Sequence, residues 1–161
     1  MDINENPSMA EVIAKAGVPC CLMHNRAKRS VCEENNGLHN ALKGADKDGS
    51  LHNAKLNDMD NPFGYNNFIE DVISDMRESI DIALKAGIST DNIMIDPGIG
   101  FAKNLQQNLV MMNHLYELCK LGYPVLLGTS RKSMIGLTLD LPVEQREEGT
   151  IATSVIGYHA G

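Results

Sequence analysis

Residues 92–103 read Asn-Ile-Met-Ile-Asp-Pro-Gly-Ile-Gly-Phe-Ala-Lys. The run NIMI is short, apolar and continuous, and it stops at Asp96. A continuous rather than alternating apolar run fits a strand buried on both faces, as in a parallel sheet. The DPGIG that follows is turn chemistry: Pro97 presets its φ, and Gly98 and Gly100 tolerate positive φ. Asn104 with Gln107 three residues later has the spacing of a capping box, so a helix opens directly after the turn. Strand, glycine turn and helix form the repeating unit of α/β folds.

The same unit recurs on both sides. Upstream, residues 7–17 predict a short helix with Met9, Val12, Ile13 and Ala16 at helical spacing, followed by the strand-length run VPCCLMH (18–24). Residues 66–87 predict the clearest helix, with the stripe Ile69, Val72, Ile73, Met76, Ile80, Ala83 and Leu84, and with Gly87 as its stop. Downstream, one helix is expected from Asn104 to Leu121 with the stripe Leu105, Leu109, Met112, Tyr116 and Cys119. PVLLG (124–128) reads as a third strand, the loop TSRKS follows, and a short helix is expected near 132–138. A last helix runs from about residue 144 to the end, with Glu144, Glu147 and Glu148 favourable to the dipole of its first turn. Strands alternating with helices in this way indicate parallel βαβ units.

Residues 25–67 interrupt the pattern, and 27–65 are expected as a long polar insertion loop rich in Asn, Asp and Gly. It contains the near-repeats LHNALK (38–43) and LHNAKL (51–56), which carry His39 and His52. Asp46-Lys47-Asp48-Gly49 departs from a calcium loop, because its glycine comes early and no terminal Glu follows at the right spacing.

The chain has 161 residues, 43% hydrophobic and 22% charged, which suits one globular domain with a sizeable core. It falls short of the roughly 200 residues or more of a complete eight-stranded α/β barrel. Fourteen Lys and Arg against 21 Asp and Glu give a net charge of −7, which argues against a basic nucleic-acid-binding surface. No run of about 18 apolar residues predicts a membrane span. The opening MDINENPSMAEVIAKAG lacks the pattern of a secretory signal. Cys20, Cys21, Cys32 and Cys119 show no CxxC spacing, so free thiols in a reducing cytoplasm are expected.

Parallel units place functional residues at the carboxyl ends of their strands. The three ends here are Met23-His24-Asn25, Asp96-Pro97-Gly98-Ile99-Gly100-Phe101 and Gly128-Thr129-Ser130-Arg131-Lys132-Ser133. Asp96 suits either a ligand with a two-donor, amidine-like edge or the cap of its own turn. Gly98 and Gly100 allow close backbone approach, and Phe101 offers an aromatic wall. The SRKS loop suits a phosphate or carboxylate, or is a solvated basic turn. His24 reads as a hydrogen-bonded structural residue in preference to a general base. Met23 lines a flat apolar pocket or belongs to the core. Arg26, Lys28 and Arg29 read as solvated surface at the start of the insertion, and His114 has no evident partner.

With DPGIGFAKN (96–104) and LLGTSRKSMIG (126–136) at successive strand ends, the chain resembles the dihydropteroate synthase family of pterin-binding enzymes. VPCCLMHN (18–25) and LPVEQREEGTIAT (141–153) extend the resemblance, which covers the chain outside the insertion. It implies a partial (β/α)8 barrel over residues 1–161, with three parallel strands of the eight. The implied reaction joins 6-hydroxymethyl-7,8-dihydropterin diphosphate to p-aminobenzoate in folate biosynthesis, releasing pyrophosphate. By resemblance Asp96 holds the 2-amino and N3 edge of the pterin, and Lys132 contacts the pterin ring and borders the aminobenzoate pocket. These two are the expected catalytic pair. Ser133 lies near the aminobenzoate carboxylate, Phe101 walls that pocket, Met23 packs on the pterin, Gly128 gives it room, and Arg131 joins Lys132 in the anion-binding loop.

Ala102 stands where the family usually has Gly. The family's first strand, with its magnesium-binding Asn, has no counterpart, so Mg2+ is implied by the family without a metal ligand in this chain. The pterin-binding Asp and Asn of the third and fourth strands and the closing strand are also without counterparts. The chain by itself is therefore expected to be inactive, and the full-length family to be homodimeric. Two alternatives are a pterin-binding methyltransferase, against which SRKS argues, and a non-catalytic half-barrel that associates with another chain.

Overall fold

The computed structural model describes residues 7–26 and 63–161. Its elements in chain order are helix α1 (Pro7–Ala16), strand β1 (Cys20–Met23), helix α2 (Phe68–Lys85), strand β2 (Ile93–Asp96), helices α3 (Leu105–Asn113) and α4 (Leu115–Cys119), helix α5 (Ser133–Leu139) and helix α6 (Glu147–Ala160). The architecture is α/β, rich in helix, with a small parallel sheet.

β1 and β2 pair in parallel, with Cys20 opposite Ile93, Leu22 opposite Ile95 and Met23 opposite Asp96. Partners in such a register share a face. One face carries Leu22, Ile93 and Ile95, all buried, and α2 packs on β1. The opposite face carries Cys21, Met23, Met94 and Asp96, all only half-buried. The expectation of strands buried on both faces is thus met on one face.

The third expected strand, 124–128, joins the sheet through a single bridge, Ile95 to Val125. Ile95 donates to the Pro124 carbonyl (2.9 Å) and accepts from Leu126 N–H (2.8 Å). The ladder cannot extend in either direction, because its next donors fall on prolines. The bond beyond Ile95 needs an N–H at Pro97, and the bond before it needs an N–H at Pro124.

Three expected helical faces are rotated or broken. In α1 the buried residue is Ala10, while Met9 and Val12 are exposed. In α2 the stripe includes the polar Asp75 and Ser79 beside Val72, Met76, Ile80 and Ala83, while Leu84 is exposed. The single helix expected from Asn104 to Leu121 is divided at His114. The ring Nδ1 of His114 bonds the Val110 carbonyl (2.9 Å), and its backbone N–H turns to Met111 O (3.1 Å). A side chain that takes the i−4 carbonyl interrupts the helical ladder. The buried stripe accordingly runs through Asn108, Met111, Met112, Leu115 and Leu118, with Leu109 and Tyr116 exposed.

The insertion reading also needs correction at its end. Phe63 and Tyr65 are core residues, and Tyr65 stacks edge-on against Phe68 at 4.9 Å between centroids. The near-repeats, His39, His52, Asp46–Gly49, Lys28, Arg29 and Cys32 lie outside the described residues.

The core assignment predicts an asymmetric response to truncation. Leu22→Ala, at a site with no exposed surface, is expected to cost about 2–5 kcal/mol. Val12→Ala, 64% exposed, is expected to change stability by less than about 0.5 kcal/mol. Urea-unfolding midpoints of the two variants check both.

Candidate functional site

The site is built outward from His24, the first residue past β1. Its backbone N–H donates to Asp96 O (2.9 Å), continuing the sheet by one bond. Two residues past Asp96, Gly98 takes φ +65, and a Cβ there would collide with the His24 carbonyl oxygen. Glycine is required at this position by conformation and by space. The Gly98 N–H returns to Asp96 Oδ1 (2.7 Å). Asp96 is therefore the cap of its own turn, while Oδ2 has no hydrogen-bond partner among the described residues.

The loop continues through Gly100 at φ +83 and Ala102 at φ +46. The Gly100 N–H is held by Asn108 Oδ1 (2.8 Å), and Tyr65 Oη donates to Ala102 O (3.1 Å). The expected capping box is present: Asn104 and Gln107 bond each other's backbone N–H groups at 2.8 and 2.9 Å. Beneath the loop lies Lys103, buried at 5% exposure. Its Nζ lies 2.8 Å from His24 Nδ1 and donates to Gly98 O and Phe101 O, both at 3.1 Å.

His24 Nε2 faces Asp75 Oδ2 at 3.1 Å, and Arg26 donates to the same carboxylate through Nε (2.5 Å) and Nη2 (3.1 Å). Arg26 also stacks on the Tyr65 ring at 4.5 Å. With three donors, a charged Lys103 satisfies His24 Nδ1 and both carbonyls. The imidazole then carries its proton on Nε2 and donates it to Asp75. Burial pushes His24 down to about 4, against the pull of Asp75. Burial acts to raise the Asp75 carboxyl, but the bonds from His24 and Arg26 hold it well below the usual carboxylate range. Burial likewise pushes Lys103 down to about 7, opposed by the charges of Asp96 and Asp75.

The second loop is fastened from α6. Arg131, at φ +51, gives its N–H to Thr150 Oγ1 (2.9 Å) and its carbonyl to Nη1 of buried Arg146 (3.1 Å). Thr153 Oγ1 donates to Thr129 Oγ1 (3.0 Å). Lys132 is left to reach the first loop, with Nζ 4.3 Å from the centroid of the Phe101 ring and its stem against Gly100.

Of the expected site residues, Met23 and Asp96 are register partners, and Phe101 and Lys132 meet across the two loops. Ser133 is buried at the start of α5, Gly128 has open space where a Cβ would stand, and Arg131 is exposed. His24 has the structural role expected of it. Arg26, expected as solvated surface, is instead half-buried in the pair with Asp75. Sequence reasoning missed Lys103, Asp75, Arg26, Asn108 and Arg146. The one available signal was a charged residue, Asp75, inside a mostly apolar helical stripe. Among the described residues no three His, Cys, Asp or Glu side chains are placed to share a metal ion. Asp75 is committed to His24 and Arg26, and Asp96 Oδ1 to its own turn, so the described residues offer no preformed magnesium cage.

A parallel βα unit whose strand end carries DPGIGF, packed against a second strand-end loop bearing Lys132, defines the class. The chain belongs to the pterin binding enzyme family, whose model matches residues 2–161. Within that family it is similar to dihydropteroate synthases. It is 47% identical over 153 residues to the dihydropteroate synthase of Clostridium beijerinckii, covering 95% of this chain and 44% of that protein. The crystal structure of the Clostridium difficile dihydropteroate synthase in the presence of pteroic acid matches with TM-score 0.70 and 35% identity, over 96% of this chain and 46% of that one. The Xanthomonas albilineans dihydropteroate synthase with 4-aminobenzoic acid matches with TM-score 0.70 and 30% identity, over 97% and 45%. The chain thus spans less than half the length of each of these relatives.

Two stability predictions follow from this network. Unfolded, His24 takes up a proton near 6.5; folded, it does so near 4. In that window the unfolded chain binds more protons, so stability is lost as pH falls from 6.5 toward 4, by about 3 kcal/mol in order of magnitude. Asp75 adds its own loss only below that range, as pH falls through its unfolded value near 3.8. Denaturant midpoints measured across the window, with His24→Gln flattening the profile, check the assignment. At Ala102 the left-handed backbone costs about 1–2 kcal/mol, against about 0.5–1 kcal/mol of added unfolded-state entropy for glycine. Ala102→Gly is therefore expected to stabilise by about 0.5–1 kcal/mol in the same assay.

Proposed function

We propose that residues 1–161 form part of a (β/α)8 barrel that makes dihydropteroate from 6-hydroxymethyl-7,8-dihydropterin diphosphate and p-aminobenzoate. Family membership and the similarity to dihydropteroate synthases support this reading. The observation that carries it is the meeting of the two strand-end loops, with the Lys132 ammonium over the face of Phe101. The half-covered sheet face of Met23, Met94 and Asp96 suits a barrel interior. α6, which has no fully buried residue and exposes Ile151, Val155 and Ile156, suits a helix covered by further protein. A homodimer of the complete protein, in the reducing cytoplasm, accords with that apolar surface and with the free thiols of Cys20, Cys21 and Cys119.

In this reading Asp96 accepts from the 2-amino and N3 edge of the pterin through Oδ2, while Oδ1 stays on its turn. Met23, beside it in register, packs on the ring, and Gly128 leaves the ring room. Lys132 bridges pterin and aminobenzoate, Phe101 walls the aminobenzoate, and Ser133 lies toward its carboxylate. Arg131, exposed on the same loop, favours the anionic end of a substrate. The bond from the exocyclic carbon to the diphosphate oxygen breaks, and positive charge develops on that carbon. The aminobenzoate nitrogen then attacks it and loses a proton, and no strong base is required. Fixed cations near the departing diphosphate lower the barrier because they require no reorganisation as charge develops.

The test is turnover by this chain joined to the amino-terminal half of a similar synthase. Dihydropteroate is expected to form, and Lys132→Ala or Asp96→Asn to lower kcat/KM by about 100-fold or more, the scale of a lost charge-stabilising group. Turnover that both substitutions leave unchanged would exclude these residues as the reacting pair.

A further inference from the structure

We propose that Lys103 is a positioning residue for this site: oriented by His24 and Asp75, it ties the Gly98 and Phe101 carbonyls together and thereby holds Asp96 and Phe101 in their ligand-facing poses. The inference rests on the pterin reading only for what the loop is held ready to bind.

A loop with positive φ at Gly98, Gly100 and Ala102 turns its peptide groups out of any helix or sheet ladder. Buried peptide groups need partners. Three of the loop's groups bond to side chains: the Gly100 N–H to Asn108, the Phe101 carbonyl to the Lys103 ammonium, and the Gly98 carbonyl to that same ammonium in addition to the Phe101 N–H (3.0 Å). Lysine is almost never fully buried without such compensation. Here the compensation comes from dipoles, with all three N–H bonds of Nζ in use. The two carbonyls flank Gly98 and Phe101, the residues that cap Asp96 and face Lys132. Tethering them fixes both functional side chains from below, on the side away from any ligand.

The third bond sets the direction of the ammonium. His24 Nδ1 accepts from it only while Nε2 carries the imidazole proton. Asp75 enforces that tautomer, and Arg26 keeps Asp75 ionised. The charged and titratable groups around Lys103 are therefore His24 and Arg26 after β1, Asp75 on α2 and Asp96 at the end of β2. Loss of one proton from Nζ leaves two donors for three acceptors. His24 cannot compensate by donating from Nδ1, because its proton is committed to Asp75. One tether must open, and the loop loosens.

The experiment is carbon-13 and nitrogen-15 NMR of the full chain through a pH series spanning the value near 7 to which burial moves Lys103. The Cε resonance of Lys103 and the carbonyl carbons of Gly98 and Phe101 are expected to titrate with one shared midpoint. Lys103→Met is expected to abolish the carbonyl titration. It should also speed amide exchange across residues 98–101 by about tenfold or more, relative to the core amide of Leu22. A Lys103 Cε that titrates while both carbonyls stay still overturns the proposal, as does unchanged loop exchange in the variant. Should Lys103→Met fail to fold, the wild-type titration decides alone. Shared titration, together with no binding of pteroic acid once this chain is joined to the amino-terminal half of a similar synthase, supports the tether and overturns the pterin reading instead.

Discussion

The contacts that join β1 to the loop after β2 centre on His24. Its N–H extends the parallel pairing to Asp96, its carbonyl permits only glycine at position 98, and its ring joins Asp75 on one side to Lys103 on the other. The residue is 3% exposed and neutral, so each of these contacts is made away from water. In that setting an unmade bond costs the full desolvation of the group left alone. These bonds favour the arrangement of the segment from Asp96 to Lys103 in which all of them are made. That arrangement decides where Asp96 and Phe101 stand.

A second, independent set of contacts fixes the other loop. Arg146 and Thr150 at the start of α6 take both backbone groups of Arg131, so the strained residue beside Lys132 is held from a helix remote from the first loop. The two loops touch through Lys132 and Phe101. Each loop is preorganised by its own buried contacts, and the site is the place where they face each other. The charge distribution supports this division. The buried cations Lys103 and Arg146 hold backbone carbonyls, while the more accessible Lys132 is available to a ligand.

The sequence made the order of elements and the position of each strand end readable, because periodicity, capping residues and glycine stops are local signals. The Asn104–Gln107 cap and the stop after α2 were legible for this reason. What was not legible depended on partners distant in the chain. Asp75 lies 51 residues from His24, and Lys103 lies 79 residues from it. In a single sequence nothing marks such pairs, and a lysine after a glycine turn reads as surface. The helix break at His114 escaped because a side chain there outcompetes a backbone donor, which periodicity does not register. The third strand failed for a reason visible in retrospect: Pro97 and Pro124 remove the two donors that would have extended its ladder. The insertion's end was misplaced because Phe63 and Tyr65 are isolated aromatics in a polar context, and isolated residues carry no period.

The central claim is that Asp96 and Lys132, brought from separate strand ends, form one pterin-binding site. Its most direct measurement follows the Asp96 carboxyl carbon and the Lys132 side-chain amine by NMR as 6-hydroxymethyl-7,8-dihydropterin is added to the protein containing this chain. The account predicts that both signals move together along one binding curve, while the signal of Asp140, which lines an open pocket with Leu137, Leu141 and Pro142, stays in place. Saturable binding that leaves Asp96 and Lys132 unmoved would contradict it.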